Sequence, residues 1–389
     1  MSTQYPMPTT QNISAGQFAL MVTAAYLGFG IFQFPLELVK DGGPDALYAL
    51  LLECAAALGG LWLTFRANRV DPKETMPGFG SKVLHPLVHW PISILTVAIH
   101  TALGAFLVGN FGFVMTAFFL PDTPNWVVRL ALVATCLYMV WFDTPTLART
   151  VQILLPLTMV LTLLLGLLLV PKMTSGYAVL PSASIHVLPI LYAAYRSFYI
   201  FLGFEVSVTL YPYMRPPERR RGEKYTLWAM VFICVWFAIG FALVLGVEGP
   251  YFLVHLLWPP VSAMRLINVT GFIINKLGLL VIVMWGVFTL LFVAVRIWCL
   301  GHDAMPILHK TSLTAYRVLV LASAGIIYGV ASLFPTVHVL VQLFANYLLP
   351  IAIGYIYGVP LIVLLGAWLT RRKQGKSHPG QNQSQSTPS

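Results

Sequence analysis

Phe201-Leu-Gly-Phe-Glu-Val-Ser-Val-Thr-Leu-Tyr-Pro212 lies within an apolar segment running from about residue 188 to residue 214. Gly203 and Glu205 fall near its middle, and Pro212 follows a few residues later. A carboxylate at membrane depth is costly, so it faces protein interior or a water-filled cavity. A glycine weakens the helix around it, and a proline removes a backbone donor. Together the three residues predict a broken membrane helix, and broken helices line binding sites.

The rest of the chain supplies a membrane frame for that break. Hydrophobic residues make up 58% of the 389 residues and charged residues 9%, against about 25% charged in a soluble domain. Apolar runs long enough to cross hydrocarbon recur at 14–38, 44–65, 86–119, 125–142, 148–170, 187–212, 225–247, 271–297, 315–334 and 337–369. The expectation is an all-α integral membrane protein of ten transmembrane helices, with no separate soluble domain. The net charge of +10 is spread in a way that excludes nucleic acid as the partner. With the N-terminus inside, the inner loops and tail hold 17 Lys and Arg, Arg296 among them, and the outer side holds five. This bias fixes N-in and C-in. The basic excess is topogenic first, with attraction to anionic membrane lipid second. Cys54, Cys136, Cys234 and Cys299 fall in or beside spans without pairing motifs. They read as small buried hydrophobes, and no disulfide, metal site or cofactor is expected. The polar first dozen residues carry no basic segment followed by a cleavage site, so no removable signal peptide is expected.

Residues 1–12 read as a disordered N-terminus, 13–370 as the permease-like membrane domain, and 371–389 as a disordered basic and polar tail. Ser14 with Gln17 three residues later is a capping-box pattern that opens the first span. That span is interrupted by Gly28-Phe29-Gly30, then Gln33, Pro35 and Glu37. The paired glycines fit a packing notch for a neighbouring helix; the polar residues and proline push toward an unwound stretch. The two breaks fall in the first and sixth of ten spans. These are equivalent places if the chain is two five-helix halves, and because five is odd the second half runs inverted. Paired breaks of that kind point to a site at the bilayer midplane.

Elsewhere the features are plainer. Asp41-Gly-Gly-Pro-Asp45 is an outer turn, with Asp45 placed to cap the second helix. Residues 67–84 form an inner interfacial loop. His85 and His89 have metal-ligand spacing on a helix, but no nearby residue completes a set. His100 lies deeper in the third span, as a cavity-lining residue or a helix-packing partner. Arg215 to Lys224 is a stiff basic turn at the inner face. Residues 249–269 are apolar but broken by Gly249-Pro250 and Pro259-Pro260, which fits two short hinged helices on the outer face.

With these residues assembled, the chain resembles the B subunit of spore germination receptors, the endospore germinant permeases of the amino acid/polyamine/organocation transporter superfamily. The resemblance covers roughly residues 12–370. Its carriers are Ile13-Ser-x-x-Gln17, Gly28-Phe-Gly-Ile-Phe-Gln-Phe-Pro35, Gly43-Pro-Asp45, Phe201-Leu-Gly-Phe-Glu205 with Tyr211-Pro212, and Trp258-Pro-Pro-x-x-x-x-Arg265. It implies a leucine-transporter-like fold of two inverted five-helix repeats with helices 1 and 6 broken. It also implies a small amino acid germinant held between the breaks, a lid over residues 249–269, and A and C receptor subunits as partners in the spore inner membrane. Two departures stand out. Proton-coupled members of the superfamily carry a lysine in span five, and none is present here. Sodium-dependent members place hydroxyls on span eight, where Thr289 stands alone.

The site expected is the backbone of Gly28, Phe29 and Gly30 for a ligand carboxylate, and of Phe201, Leu202 and Gly203 for its ammonium. Tyr26, His100, Trp285 and Thr289 form further wall. Glu205 either orients the ligand or a proton, or accepts hydrogen bonds from the unwound first helix. Arg196 pairs with Glu205 or Glu37. Two functions share these features: a ligand-sensing receptor subunit and an amino acid or polyamine transporter. A membrane enzyme lacks a catalytic constellation in the spans.

Overall fold

The computed structural model describes residues 13–179, 185–267 and 278–376. They form helices and connecting turns, with one isolated bridge pairing Ile13 and Met214. In chain order the helices are α1 Ala15–Leu27, α2 Phe34–Gly42, α3 Ala46–Asn68, α4 Met76–Val83 and α5 Pro86–Phe118. Then come α6 Asn125–Val140, α7 Thr144–Leu167, α8 Val187–Ser197, α9 Ser207–Leu210 and α10 Arg219–Leu253. The last five are α11 Pro259–Arg265, α12 Gly278–Ile307, α13 Leu313–Ser332, α14 Val337–Leu343 and α15 Leu349–Lys376.

Among the described residues, seven helical segments are long and apolar enough to cross a membrane, and eight if the bent pair Val187–Phe201 and Phe204–Tyr213 counts as one span. Two shorter apolar helices, α1 and α6, complete the set. The chain is a multi-pass membrane protein. α12 is its axis: 72% of its most apolar window is buried, against 22% for α13. It packs on α5, α6, α7, α13 and α1. α1 packs in turn on α10, α7 and α12, and α2 packs on α8. Backbone groups find no water in hydrocarbon, so helices satisfy their own donors and polar atoms concentrate where helices meet.

Local chemistry sets the helix ends. Ser14 Oγ accepts from the Gln17 N–H at 3.3 Å, and Gln17 Oε1 accepts from the Ser14 N–H at 3.0 Å, the reciprocal pattern read from the sequence. Pro35 sits in the first turn of α2, where its missing N–H costs nothing. It therefore starts the second half of the first broken segment rather than kinking a continuous helix. Gly249 adopts φ +71° inside α10 and turns the chain into Pro250–Leu253, with α11 beyond. The expected break at Gly249-Pro250 and the short helix at Pro259-Pro260 are thus present.

Several local expectations change. Asp45 occupies the N-cap position of α3 but makes no side-chain cap bond. Its carboxylate instead accepts from the His186 N–H at 3.0 Å and lies 2.9 Å from the His186 ring nitrogen, tying α3 to the start of α8. The inner stretch 67–84 holds a full eight-residue helix, α4. α15 continues to Lys376, into the stretch expected to form the tail. Among the described residues no group of three or more His, Cys, Asp or Glu could hold a metal. His89 is buried and lies near Ser93. Residues 1–12, 180–184, 268–277 and those beyond 376 lie outside the described residues.

Candidate functional site

The two breaks meet at the centre of the bundle. Between α1 and α2, residues 28–33 leave the helix, with Gly30 at φ +74°. Between α8 and α9 the chain passes through a tight turn at Phe198–Phe201, then Leu202 and Gly203, then a second turn at Phe204–Val206. Gly203 adopts φ +148°, a value that side chains avoid. The two halves of this segment are bent by 48°.

The glycines of the first break divide the two readings made of them. A Cβ on Gly28 would stand 2.7 Å from the Phe288 carbonyl oxygen, so Gly28 is a notch against α12. Gly30 supplies the positive φ that unwinds the chain, and a Cβ there would strike the Tyr199 ring. Gly203 is packed tighter still: its Cβ position is 1.8 Å from the Ala25 carbonyl oxygen. The sixth-segment break therefore rests on the last turn of α1. The N–H groups of Gly28 and Phe29 both donate to the Tyr26 carbonyl. The Trp285 indole N–H donates to the Gly28 carbonyl at 3.3 Å.

An aromatic box fills the space beside the breaks. The Phe29 ring lies 5.1 Å from Phe106, 5.3 Å from Phe344 and 5.4 Å from Phe292. Trp285 packs on Phe32 at 4.6 Å. Tyr26, Tyr199 and Thr289 are buried here, and none of their hydroxyls has a hydrogen-bond partner. At the α2 end of the first break, an apolar cavity of about 70 Å³ is lined by Ile31, Phe32 and Phe34 with residues of α7, α10, α11 and α12.

Glu205 does not accept from the first helix. Its Oε1 pairs with Arg296 Nη1 at 2.5 Å, and its Oε2 has no partner. This corrects the assignment of Arg296 to the inner, solvent-facing set: it is fully buried on α12, with its guanidinium 4.9 Å over the Phe292 ring. His100 is likewise committed, its Nδ1 lying 2.6 Å from Arg296 Nη1. Arg196 pairs with Glu37 at 3.3 Å and Asp41 at 3.8 Å, which settles its two alternatives against Glu205.

Two acidic residues here went unread. Glu53 on α3 is buried and accepts from the Ser197 hydroxyl at 3.0 Å, with its other oxygen unpartnered. The rule that singled out Glu205, an acid inside an apolar span, applies equally to Glu53. Asp303 on α12 is fully buried and accepts from Thr209.

With this geometry in hand, comparison with known proteins places the chain. A profile of the spore germination protein family matches residues 12–339. The chain belongs to the spore germination protein family. Two of its relatives are Bacillus subtilis (strain 168) proteins. Spore germination protein YndE is 21% identical over 281 residues, covering 71% of this chain and 76% of that one. Spore germination protein B2 is 20% identical over 277 residues, covering 69% and 72%. Solved structures share the fold. MhsT in complex with L-phenylalanine matches with a TM-score of 0.61 at 13% identity, covering 94% of this chain and 99% of MhsT. Mhp1, a nucleobase-cation-symport-1 family transporter with bromovinylhydantoin bound, matches at 0.62 and 13%, covering 96% and 82%. A Na+-coupled sialic acid symporter matches at 0.57 and 12%, covering 92% and 81%. This spore germination permease thus has the leucine-transporter type of fold expected from the resemblance.

Proposed function

We propose that the chain is the membrane subunit of a spore germinant receptor, binding a small amino acid between its two breaks and signalling germination to A and C subunits. In this reading it has ten spans in two inverted five-helix repeats. α1 with α2 forms the broken first span, and α8 through Tyr213 the broken sixth. Both termini lie inside, and the membrane is the inner membrane of the spore. The observation that carries the reading is the seating of one break on the other, Gly203 against Ala25 and Gly30 against Tyr199.

The chemistry follows from the half-helices. The N-terminus of α2 presents a positive dipole end, which suits a carboxylate. The C-terminal ends of α1 and α8 offer carbonyls, which suit an ammonium. An amino acid presents both charges at short separation. Gly28, Phe29 and Gly30 would face the carboxylate, and Phe201, Leu202 and Gly203 the ammonium. Glu205, Tyr26, His100, Trp285 and Thr289 complete the set, and the aromatic box around Phe29 limits the side chain to a small one. A ligand drives signalling only through unequal affinity for two conformations. The shared fold with transporters supports secondary transport of an amino acid or polyamine as the alternative, using the same site.

The test is thermal unfolding of the purified protein against a panel of amino acids. A ligand that binds only the folded chain raises Tm with concentration. A shift for one or a few small amino acids, lost in Gly28→Val and Gly203→Val variants that still fold, supports the site. No shift with any amino acid refutes binding by the subunit alone. Uptake into liposomes by a responding protein favours the transporter; co-purification with A and C subunits without uptake favours the receptor.

A further inference from the structure

Below the sixth break, four ionisable side chains from three elements form one buried network. Glu205 Oε1 lies 2.5 Å from Arg296 Nη1, and the same nitrogen lies 2.6 Å from His100 Nδ1. Across the imidazole, His100 Nε2 stands 3.7 Å from Asp303 Oδ2. The Thr209 hydroxyl lies 2.8 and 3.0 Å from the two Asp303 oxygens. Each of the four charged or titratable groups is at most 3% exposed.

The donors and acceptors fix where protons can go. A guanidinium in a protein keeps its proton, so Arg296 donates and His100 Nδ1 accepts. An imidazole accepting at Nδ1 carries its hydrogen on Nε2, the nitrogen that faces Asp303. Placing a second proton on the ring would set an Nδ1–H against the guanidinium, so His100 stays neutral. One guanidinium then stands against two carboxylates, and the network is one negative charge in excess. An uncompensated buried charge is costly. The other titratable groups nearby do not supply a cation. Tyr316 donates to the Val140 carbonyl, Tyr355 donates to Thr96, and the His302 ring lies against the Trp298 carbonyl. Tyr213 packs on His302, and Cys299 is a buried free thiol. Among the described residues, the neutral His100 is the sole basic side chain with a nitrogen within 4.0 Å of the Asp303 carboxylate.

We propose that Asp303 is a proton-binding site, and that its occupancy sets the charge of the network holding the inner half of the broken sixth segment to α12. A proton on Asp303 brings the network to neutrality. The Thr209 hydroxyl, free to rotate, then accepts from the carboxylic acid instead of donating to it. Glu205 and Thr209 both lie on the stretch that follows Gly203, so the proton acts on the part of the segment beyond the break. The site does not depend on any amino acid being bound. If the ligand reading holds as well, proton and ligand affinities are linked reciprocally.

The experiment is thermal unfolding of the purified full chain in detergent between about pH 5.5 and 8.5, within the range histidines and shifted acids titrate, without sodium or amino acid. The wild type is compared with Asp303→Asn, which has the charge of the protonated acid, and with His302→Gln as a neighbouring control. One extra proton bound by the folded state changes the unfolding constant by up to about tenfold per pH unit. The wild-type Tm therefore falls as pH rises, Asp303→Asn loses that part of the slope, and His302→Gln keeps it. An Asp303→Asn protein with the wild-type slope overturns the proposal. So does a wild type stabilised by sodium with no pH slope, which would make this a metal-cation site. Should Asp303→Asn fail to fold, Thr209→Val decides: it removes the hydroxyl on the carboxylate and must move the midpoint of the wild-type slope, and an unmoved midpoint overturns the proposal. A pH slope without any amino acid effect upholds the proton site while refuting the ligand reading.

Discussion

Replacing Gly203 by alanine tests the seating of the two breaks directly. Two costs arise. The residue holds φ +148°, which a side chain tolerates only under strain, about 1–3 kcal/mol for such a conformation. The new Cβ would also stand 1.8 Å from the Ala25 carbonyl oxygen, 2.4 Å from its carbon and 2.8 Å from Tyr26 Cα. These are backbone atoms of α1, so no rotamer change relieves them, and overpacking of this kind costs about 1–3 kcal/mol. The expected loss is about 2–6 kcal/mol in total. Gly354 in α15 provides the opposite case, because no atom lies within 4 Å of its Cβ position. Alanine there should be neutral or stabilise by about 0.5–1 kcal/mol through helix propensity. Equilibrium unfolding in mixed micelles, run on both variants and the wild type, measures the difference. A Gly203→Ala protein as stable as the wild type would show that the break does not rest on α1, and the reasoning would fail.

Other substitutions probe the same region. Arg296→Met strands the buried Glu205 carboxylate and should cost about 3–5 kcal/mol, part of it recovered by adding Glu205→Gln; strictly additive losses in that cycle would deny the pairing. Tyr26→Phe removes a buried hydroxyl with no partner, so stability should hold or rise by up to about 1 kcal/mol; a clear loss would mean the hydroxyl is bonded. Glu205→Gln should alter an amino acid-induced Tm shift more than Glu218→Gln, whose carboxylate accepts from the Ala15 N–H at 2.7 Å at the inner end of α1; equal small effects would remove Glu205 from the site.

How far the sequence could be read depended on whether a feature was local. Gly203 and Gly30 announced breaks because a glycine between apolar runs weakens a helix wherever it packs. The capping box at Ser14 and Gln17 was equally legible, because both partners lie within one turn. The partner of Glu205 was not. Arg296 comes 91 positions later, and hydropathy places it near a span edge, where a topology signal and a buried ion look alike. A clue existed in spacing. Arg296 and Asp303 are seven positions apart on α12, two turns along one face. Glu205 and Thr209 are four apart, though the turn at Phe204–Val206 bends the face they share. Facing stripes of that kind can be matched only once the topology has set the two segments side by side. Asp45 misled for the opposite reason: its local role as a cap was plausible, and His186 took the carboxylate through a contact 141 positions away.

The ties across the breaks divide the broken segments into two bodies. On one side, Arg196 of α8 pairs with Glu37 and Asp41 of α2, joining the two outer halves. On the other, the Ile13 N–H donates to the Tyr213 carbonyl at 2.9 Å, and the Arg215 N–H donates to the Ile13 carbonyl at 3.2 Å. That clasp joins the start of α1 to the end of the inner sixth half. The chain between each pair of halves is the unwound stretch itself, residues 28–33 and 202–203. Both sets of ties lie outside those residues, so rotation about them leaves the ties intact. The Glu205–Arg296 pair then belongs to the inner body's grip on α12. With the proton site proposed above, a change of charge there acts on how firmly the inner body is held to α12. In the proposed reading the two breaks serve both as the place where backbone groups meet a ligand and as the hinge by which its arrival is felt.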